Sequence, residues 1–343
     1  MIEVKNLTKK YGSHLAVNDL SFQVNKNMIY GFLGPNGAGK STTMNIMTGY
    51  IAATDGTVLI DGYDMLKEPE EAKKHIGYLP EQPPVYPDMT VTEYLRFAAE
   101  LKRVQKTERT AQIKKIMAQM QLEDVGKRLI RNLSKGYKQR VGLAQAIIGY
   151  PETIILDEPM VGLDPKQIIE IRALIKELAK NHTIILSSHI LSEVSTICDH
   201  IMIMSKGKLV ACDTPEGLMT LMKGGKQLEI SVLGKLDTFE EVLKNIDGIE
   251  TFHIEQAKKE DEIKATINTA VDKDIRKELF YRLAAADMPI MQLGAVEKSL
   301  EDVFLELTSV DETIDTIDTA IKNTSESDRK VESKEESDDD SDI

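Results

Sequence analysis

The run Gly34-Pro35-Asn36-Gly37-Ala38-Gly39-Lys40-Ser41-Thr42 combines glycines, one lysine and two hydroxyls at the spacing GxxxxGK[ST]. Glycines let a backbone wrap so that successive N–H groups converge on an anion, and a helix starting near Lys40 adds the positive end of its dipole. The pattern suits the β- and γ-phosphates of a nucleotide: Lys40 neutralises phosphate charge, and Ser41 offers its hydroxyl to Mg²⁺. A second constellation stands far along the chain, where the apolar run from Thr153 ends in Asp157-Glu158-Pro159. Beside a phosphate loop, an acid pair at a strand end divides the work. Asp157 is expected in the metal shell, and Glu158 is expected to orient, or take a proton from, the water that attacks the γ-phosphate.

Five further elements follow in a fixed order. Tyr11 lies in an N-terminal strand region and Gln82 follows the run IGYLPE. Leu133-Ser134-Lys135-Gly136-Tyr137-Lys138-Gln139-Arg140 precedes the acidic strand, Gly162-Leu163-Asp164 follows the acid pair, and His189 follows TIILSS. With these motifs, the stretch from Met1 to about Leu221 resembles the nucleotide-binding subunit of ABC transporters. The resemblance implies ATP and Mg²⁺ as cofactors, with the adenine stacked on Tyr11 and Gln82 near the metal and attacking water. It implies that His189 donates to the γ-phosphate. It also implies that Ser134 and Gly136, together with Asp164, act across an interface with a second subunit, in a homodimer or in a heterodimer with a related chain. Lys135 and Tyr137 depart from the family's LSGGQ-type signature, in which glycine and glutamine are usual. The implied function is an ATPase that dimerises on ATP and drives export through a separate ABC-2 type permease. The alternative, a soluble ABC-type ATPase on a ribosome or nucleic-acid complex, resembles chains with tandem motif sets or a very long coiled-coil insertion, and neither feature is read here.

These residues need a scaffold of alternating strands and helices. Ile29–Leu33, Thr57–Ile60, Ile76–Leu79, Ile154–Leu156 and Thr183–Leu186 are short apolar runs suited to buried, largely parallel strands. Between them, Met44–Tyr50, Val91–Arg103, Glu108–Met120, Lys138–Ile148 and Ile168–Lys180 have helical spacing. The expected fold is α/β, a P-loop ATPase domain over residues 1–222 with a helical subdomain at about 83–148. After the Lys223–Lys226 breaker the order reads strand, helix, strand, strand, helix, strand, which predicts a small α+β ferredoxin-like domain over 226–310. A final amphipathic helix is expected near Ser299–Leu307, and this extension resembles that of ABC-2 type exporter subunits.

Composition excludes other classes. Across 343 residues, 43 Lys plus Arg face 56 Asp plus Glu, a formal net charge of −13 that argues against nonspecific nucleic-acid binding. From Asp311 to Ile343 the chain carries thirteen acidic and four basic residues, so the body upstream is nearly balanced. Residues 311–343 therefore read as an acidic, largely disordered tail. No apolar run approaches the ~20 residues of a spanning helix. With no apolar signal segment at the start, the expected location is the cytoplasm, peripheral on the inner face of the membrane. Cys198 and Cys212 have no ligand-like spacing and read as small core residues.

Overall fold

The structure is a computed structural model that describes residues 1–221, 227–256, 262–270 and 273–296, with Leu300, Asp302, Phe304 and Leu305. The chain begins with β1 (Ile2–Tyr11), β2 (His14–Val24), β3 (Ile29–Leu33) and α1 (Lys40–Met47). It continues with β4 (Asp55–Ile60), β5 (Tyr63–Asp64), α2 (Pro69–Ala72) and β6 (Ile76–Leu79). Three longer helices follow: α3 (Val91–Leu101), α4 (Lys106–Gln119) and α5 (Lys135–Ile147). Then come β7 (Thr153–Leu156), α6 (Pro165–Ala179), β8 (Thr183–Ser188), α7 (Leu191–Ile197), β9 (His200–Ser205), β10 (Lys208–Asp213) and α8 (Pro215–Leu221).

Two sheets carry this unit. One has the order β10-β9-β3-β8-β7-β6, parallel throughout except for the edge strand β10. Its central strands β3, β7 and β8 are buried at every position, as the continuous apolar runs predict. The other is an antiparallel sheet of order β2-β1-β4-β5. One face of β1 and β4 (Ile2, Val4, Leu7, Val58, Ile60) packs with Phe32, Met44, Met47, Ile155 and Met202 into a shared core. Each such side chain contributes roughly 1.5–3 kcal/mol on leaving water.

Two expectations need correction. Thr57–Ile60 belongs to β4 and pairs antiparallel with β1, outside the parallel sheet. Its burial alternates along the strand, as one-sided packing requires. Cys198 is buried, but Cys212 is exposed because β10 is an edge strand. Helices also begin earlier than their apolar periodicity: α1 at Lys40, α5 at Lys135 and α6 at Pro165. First turns are polar, and capping residues rather than apolar spacing mark them.

The α3 start shows how such a cap works. Thr90 N–H donates to the Glu93 carboxylate at 2.8 Å and the Thr90 hydroxyl accepts from Glu93 N–H, which closes a capping box. The bonds from Thr90 hold the Glu93 carboxyl below its ordinary range. That contribution is present at neutral pH and is lost as pH falls through the lowered carboxylate pKa. Thr90→Ala is expected to cost about 1 kcal/mol. Urea unfolding should show a lower midpoint with an unchanged slope, and a wild-type midpoint would remove the cap's role.

A second compact unit, Glu216–Val303, is distinguished from Met1–Pro215, a little before the Lys223–Lys226 breaker. It contains β11 (Gln227–Leu233), α9 (Leu236–Lys244), β12 (Ile249–Gln256), β13 (Glu262–Thr269), α10 (Arg276–Ala285) and β14 (Ile290–Val296). The strands form an antiparallel sheet of order β12-β13-β11-β14. Alternate residues Leu228, Ile230, Val232, Ile263, Ala265 and Ile267 meet Phe239, Leu243, Leu279 and Leu283 from α9 and α10 in its core. Of the helix expected near Ser299–Leu307, only Leu300, Asp302, Phe304 and Leu305 are among the described residues, and they are helical. The acidic tail lies outside the described residues. No helix among the described residues is long and apolar enough to cross a membrane.

Candidate active site

The phosphate loop connects β3 to α1 at the C-terminal edge of the parallel sheet. Gly39, the residue before α1, has φ +99°, and a Cβ there would lie 2.6 Å from the Ala16 carbonyl oxygen. Both the backbone angle and the close approach require glycine. Lys40 is only 6% exposed, and its ammonium donates to the carbonyls of Gly34 at 2.7 Å and Pro35 at 3.2 Å. Burial lowers its pKa, while the charges of Glu158 and Asp157 oppose that shift.

Asp157 and Glu158 follow β7, one strand removed from β3 with β8 between them. Asp157 Oδ1 accepts from Ser41 Oγ at 3.2 Å and from Ser187 Oγ at 2.6 Å. Glu158 has φ +47°, left-handed for a residue with a side chain, and its N–H donates to Ser187 Oγ at 2.8 Å. Both carboxylate oxygens of Glu158 lie 3.1 Å from His189 Nδ1. If Nδ1–H donates to that carboxylate, His189 donates to a phosphate through Nε2 only when both nitrogens are protonated.

A cavity of about 400 Å³ gathers much of this set. Tyr11, Asn36, Gly37, Ala38, Gly39, Lys40, Ser41, Thr42, Glu158 and His189, all of them residues the motifs single out, line it. Tyr11 is about half exposed, with the Lys9 ammonium 5.0 Å from its ring centroid. Gly34 and Pro35 sit behind the wall and hold Lys40, and Asp157 sits behind Ser41. The wall also includes Glu81 and His14, which the motif reading does not select, whereas Gln82 is exposed and absent from the wall.

Three candidates lie apart from the cavity. Ser134 caps α5, its hydroxyl accepting from Tyr137 N–H, and Asp164 caps α6, its carboxylate accepting from Gln167 N–H at 2.9 Å. Gly136 faces the Gln167 side chain so closely that a Cβ would lie 2.8 Å from it. The same helix start is tied to the acid pair's loop: Lys135 packs its ammonium on Gly162, and Gln139 donates to the Pro159 carbonyl at 2.8 Å. Arg140 extends the tie, donating to Glu170 on α6 and to Gln121 beyond α4. Ser187, which meets both acids, is not selected by the motif reading, and the polar pair that ends the apolar run TIILSS is the one sequence signal that could find it. Sequence spacing alone does not say which of its two serines meets the acids.

Comparison with known proteins extends the motif reading. The ABC transporter family profile matches residues 17–161. Linearmycin resistance ATP-binding protein LnrL of Bacillus subtilis is 30% identical over 309 residues, 90% of this chain and 98% of LnrL. Bacitracin transport ATP-binding protein BcrA of Bacillus licheniformis is 42% identical over 212 residues, 61% of this chain and 68% of BcrA. Among solved structures, an ATP-binding subunit of an ABC transporter is similar at TM-score 0.59 and 31% identity, covering 64% of this chain and 92% of that one. A dimeric post-hydrolysis ATP-binding cassette, MJ0796 bound to ADP and Pi, is similar at TM-score 0.57 and 25% identity, covering 62% of this chain and 98% of that one.

Proposed function

Because this chain belongs to the ABC transporter family as an ATP-binding, ATP-hydrolysing subunit, we propose that it pairs with a second cassette on ATP and drives export through a separate ABC-2 type membrane permease. The observation that carries this reading is the convergence of Lys40, Ser41, Asp157, Glu158 and His189 around one cavity.

Ser41 Oγ and the Asp157 carboxylate are hard oxygen donors 3.2 Å apart, a set suited to Mg²⁺. When bound, that ion neutralises charge on the β- and γ-phosphate oxygens. The protein's own groups do the rest. Lys40 sets a fixed positive charge against phosphate, and the loop N–H groups with the α1 N-terminus orient it. Glu158 takes the proton of the attacking water, and the His189 imidazole, bonded to both of its carboxylate oxygens, holds it in aim. Tyr11 offers a ring face to the base. Gln82, exposed beside the wall residue Glu81, is assigned to a rearranged loop when nucleotide is held. Ser134, Gly136 and Asp164 are assigned to the partner subunit's nucleotide, presented by the first turns of α5 and α6.

Export is favoured because the match to LnrL, a resistance protein, spans 90% of this chain and so extends beyond the ATPase unit. We assign the unit from β11 to β14 as a ferredoxin-like accessory domain, since its antiparallel order β12-β13-β11-β14 with two helices is that of a split-βαβ fold. The chain would work at the cytoplasmic membrane face, and the permease would select the compound moved. The soluble-ATPase alternative gains no support from relatives named for resistance and transport. The reading is tested by establishing whether a neighbouring reading frame encodes a polytopic membrane protein and co-expressing the two. Co-purification from detergent extracts and ATPase activity dependent on that partner are expected, whereas co-sedimentation with ribosomes would overturn it.

A further inference from the structure

We propose that Ser187 is a positioning residue for hydrolysis: one buried hydroxyl holds the metal-side acid Asp157 and the water-side acid Glu158 in register. Ser187 has no exposed surface and lies near the end of β8, whose six residues are all buried. Its hydroxyl donates to Asp157 Oδ1 at 2.6 Å and accepts from Glu158 N–H at 2.8 Å. A hydroxyl has a single proton to give, so both directions are set: the proton goes to the carboxylate, and a lone pair takes the amide hydrogen. The two bonds polarise one another.

Ser41 is the other donor to Asp157 Oδ1, at the longer distance of 3.2 Å. Ser41 lies in the first turn after the phosphate loop, and as a metal ligand its position follows the ion. Ser187 is anchored by the parallel pairing of β8 with β3 and β7, so its hold on Asp157 does not depend on what the loop contains. The bond to Glu158 N–H has its own consequence. A non-glycine residue stays at φ +47° only where its surroundings hold it there, and that turn aims the Glu158 carboxylate at His189. Without the Ser187 oxygen, the Glu158 N–H loses its acceptor and Asp157 loses its nearer donor, so both acids gain freedom at once.

The inference rests on the roles assigned above to Asp157 and Glu158. Ser187→Ala is expected to lower kcat about tenfold or more, while KM for ATP with Mg²⁺ rises only by the several-fold that a weakened metal site costs, so the loss falls mainly on the reacting geometry. Ser187→Thr restores a hydroxyl on the same carbon and is expected to recover most of the lost kcat. A readout independent of turnover is the affinity for a fluorescent ATP analogue, with EDTA and with Mg²⁺. In EDTA, Ser187→Ala should bind as wild type does, and its gain in affinity on adding Mg²⁺ should be several-fold smaller. Wild-type kcat with a wild-type Mg²⁺ gain overturns the inference. Loss of analogue binding already in EDTA also overturns it, since the hydroxyl then serves the fold. Glu158→Gln run in parallel separates the two readings. If it hydrolyses ATP normally, the site assignment and this inference both fall, and if it is inactive beside a fully active Ser187→Ala, only the inference falls.

Discussion

Replacing Glu158 with Gln is expected to lower ATP turnover by a hundredfold or more, the size of effect a positioned proton acceptor supplies (about 10²–10⁴). The amide matches the carboxylate in shape, so the bond to His189 and the backbone turn at φ +47° can both persist. What disappears is an oxygen able to take a proton from water. ATP affinity is therefore expected to remain, because Lys40, Ser41 and the loop N–H groups are untouched. If hydrolysis is what separates two cassettes, the variant with ATP should elute as a dimer in gel filtration and the wild type should not. Turnover within a few-fold of wild type would remove Glu158 from the proton-transfer role.

Lys40→Ala should act on the other side of the reaction. The Lys40 ammonium is buried, held by two carbonyls of the loop and set near two carboxylates. A nucleotide phosphate exchanges those carbonyl bonds for charge-assisted ones in a water-poor setting, each worth about 1.5–3 kcal/mol. Two such contacts correspond to a loss of affinity of roughly a hundredfold or more. Titration calorimetry with ATP should show that loss. The thermal midpoint should change little, because removing a buried cation offsets the two unpaired carbonyls. Binding within about threefold of wild type would exclude Lys40 as the phosphate cation.

These two residues were legible because their signals are local. A run of nine residues contains the whole phosphate loop, and an acid pair at the end of an apolar run stands out without knowledge of its neighbours. Most strands were legible for the same reason: β3 and β6 occupy the spans their apolar runs predict. Helix starts were harder, since Ser134 and Asp164 begin α5 and α6 with polar turns that carry no apolar period. Strand partners were harder still. Thr57–Ile60 has the look of a buried parallel strand, but its partner β1 runs antiparallel, and only the long-range pairing shows it.

Residue order and spacing by themselves determined the nucleotide chemistry and the family, because phosphate binding uses backbone N–H groups and one cation from a single short segment. Tertiary structure decided which groups serve that chemistry from a distance. Ser187 stands 30 positions from Asp157, and only the parallel pairing of β7 with β8 brings its hydroxyl to both acids. It also decided that Glu81, and not Gln82, lines the cavity, and that the Ser134 hydroxyl and Asp164 carboxylate serve first as helix caps. A side chain's direction and its hydrogen-bond partner depend on neighbours supplied by other strands and helices, and residue spacing along one chain does not carry that information.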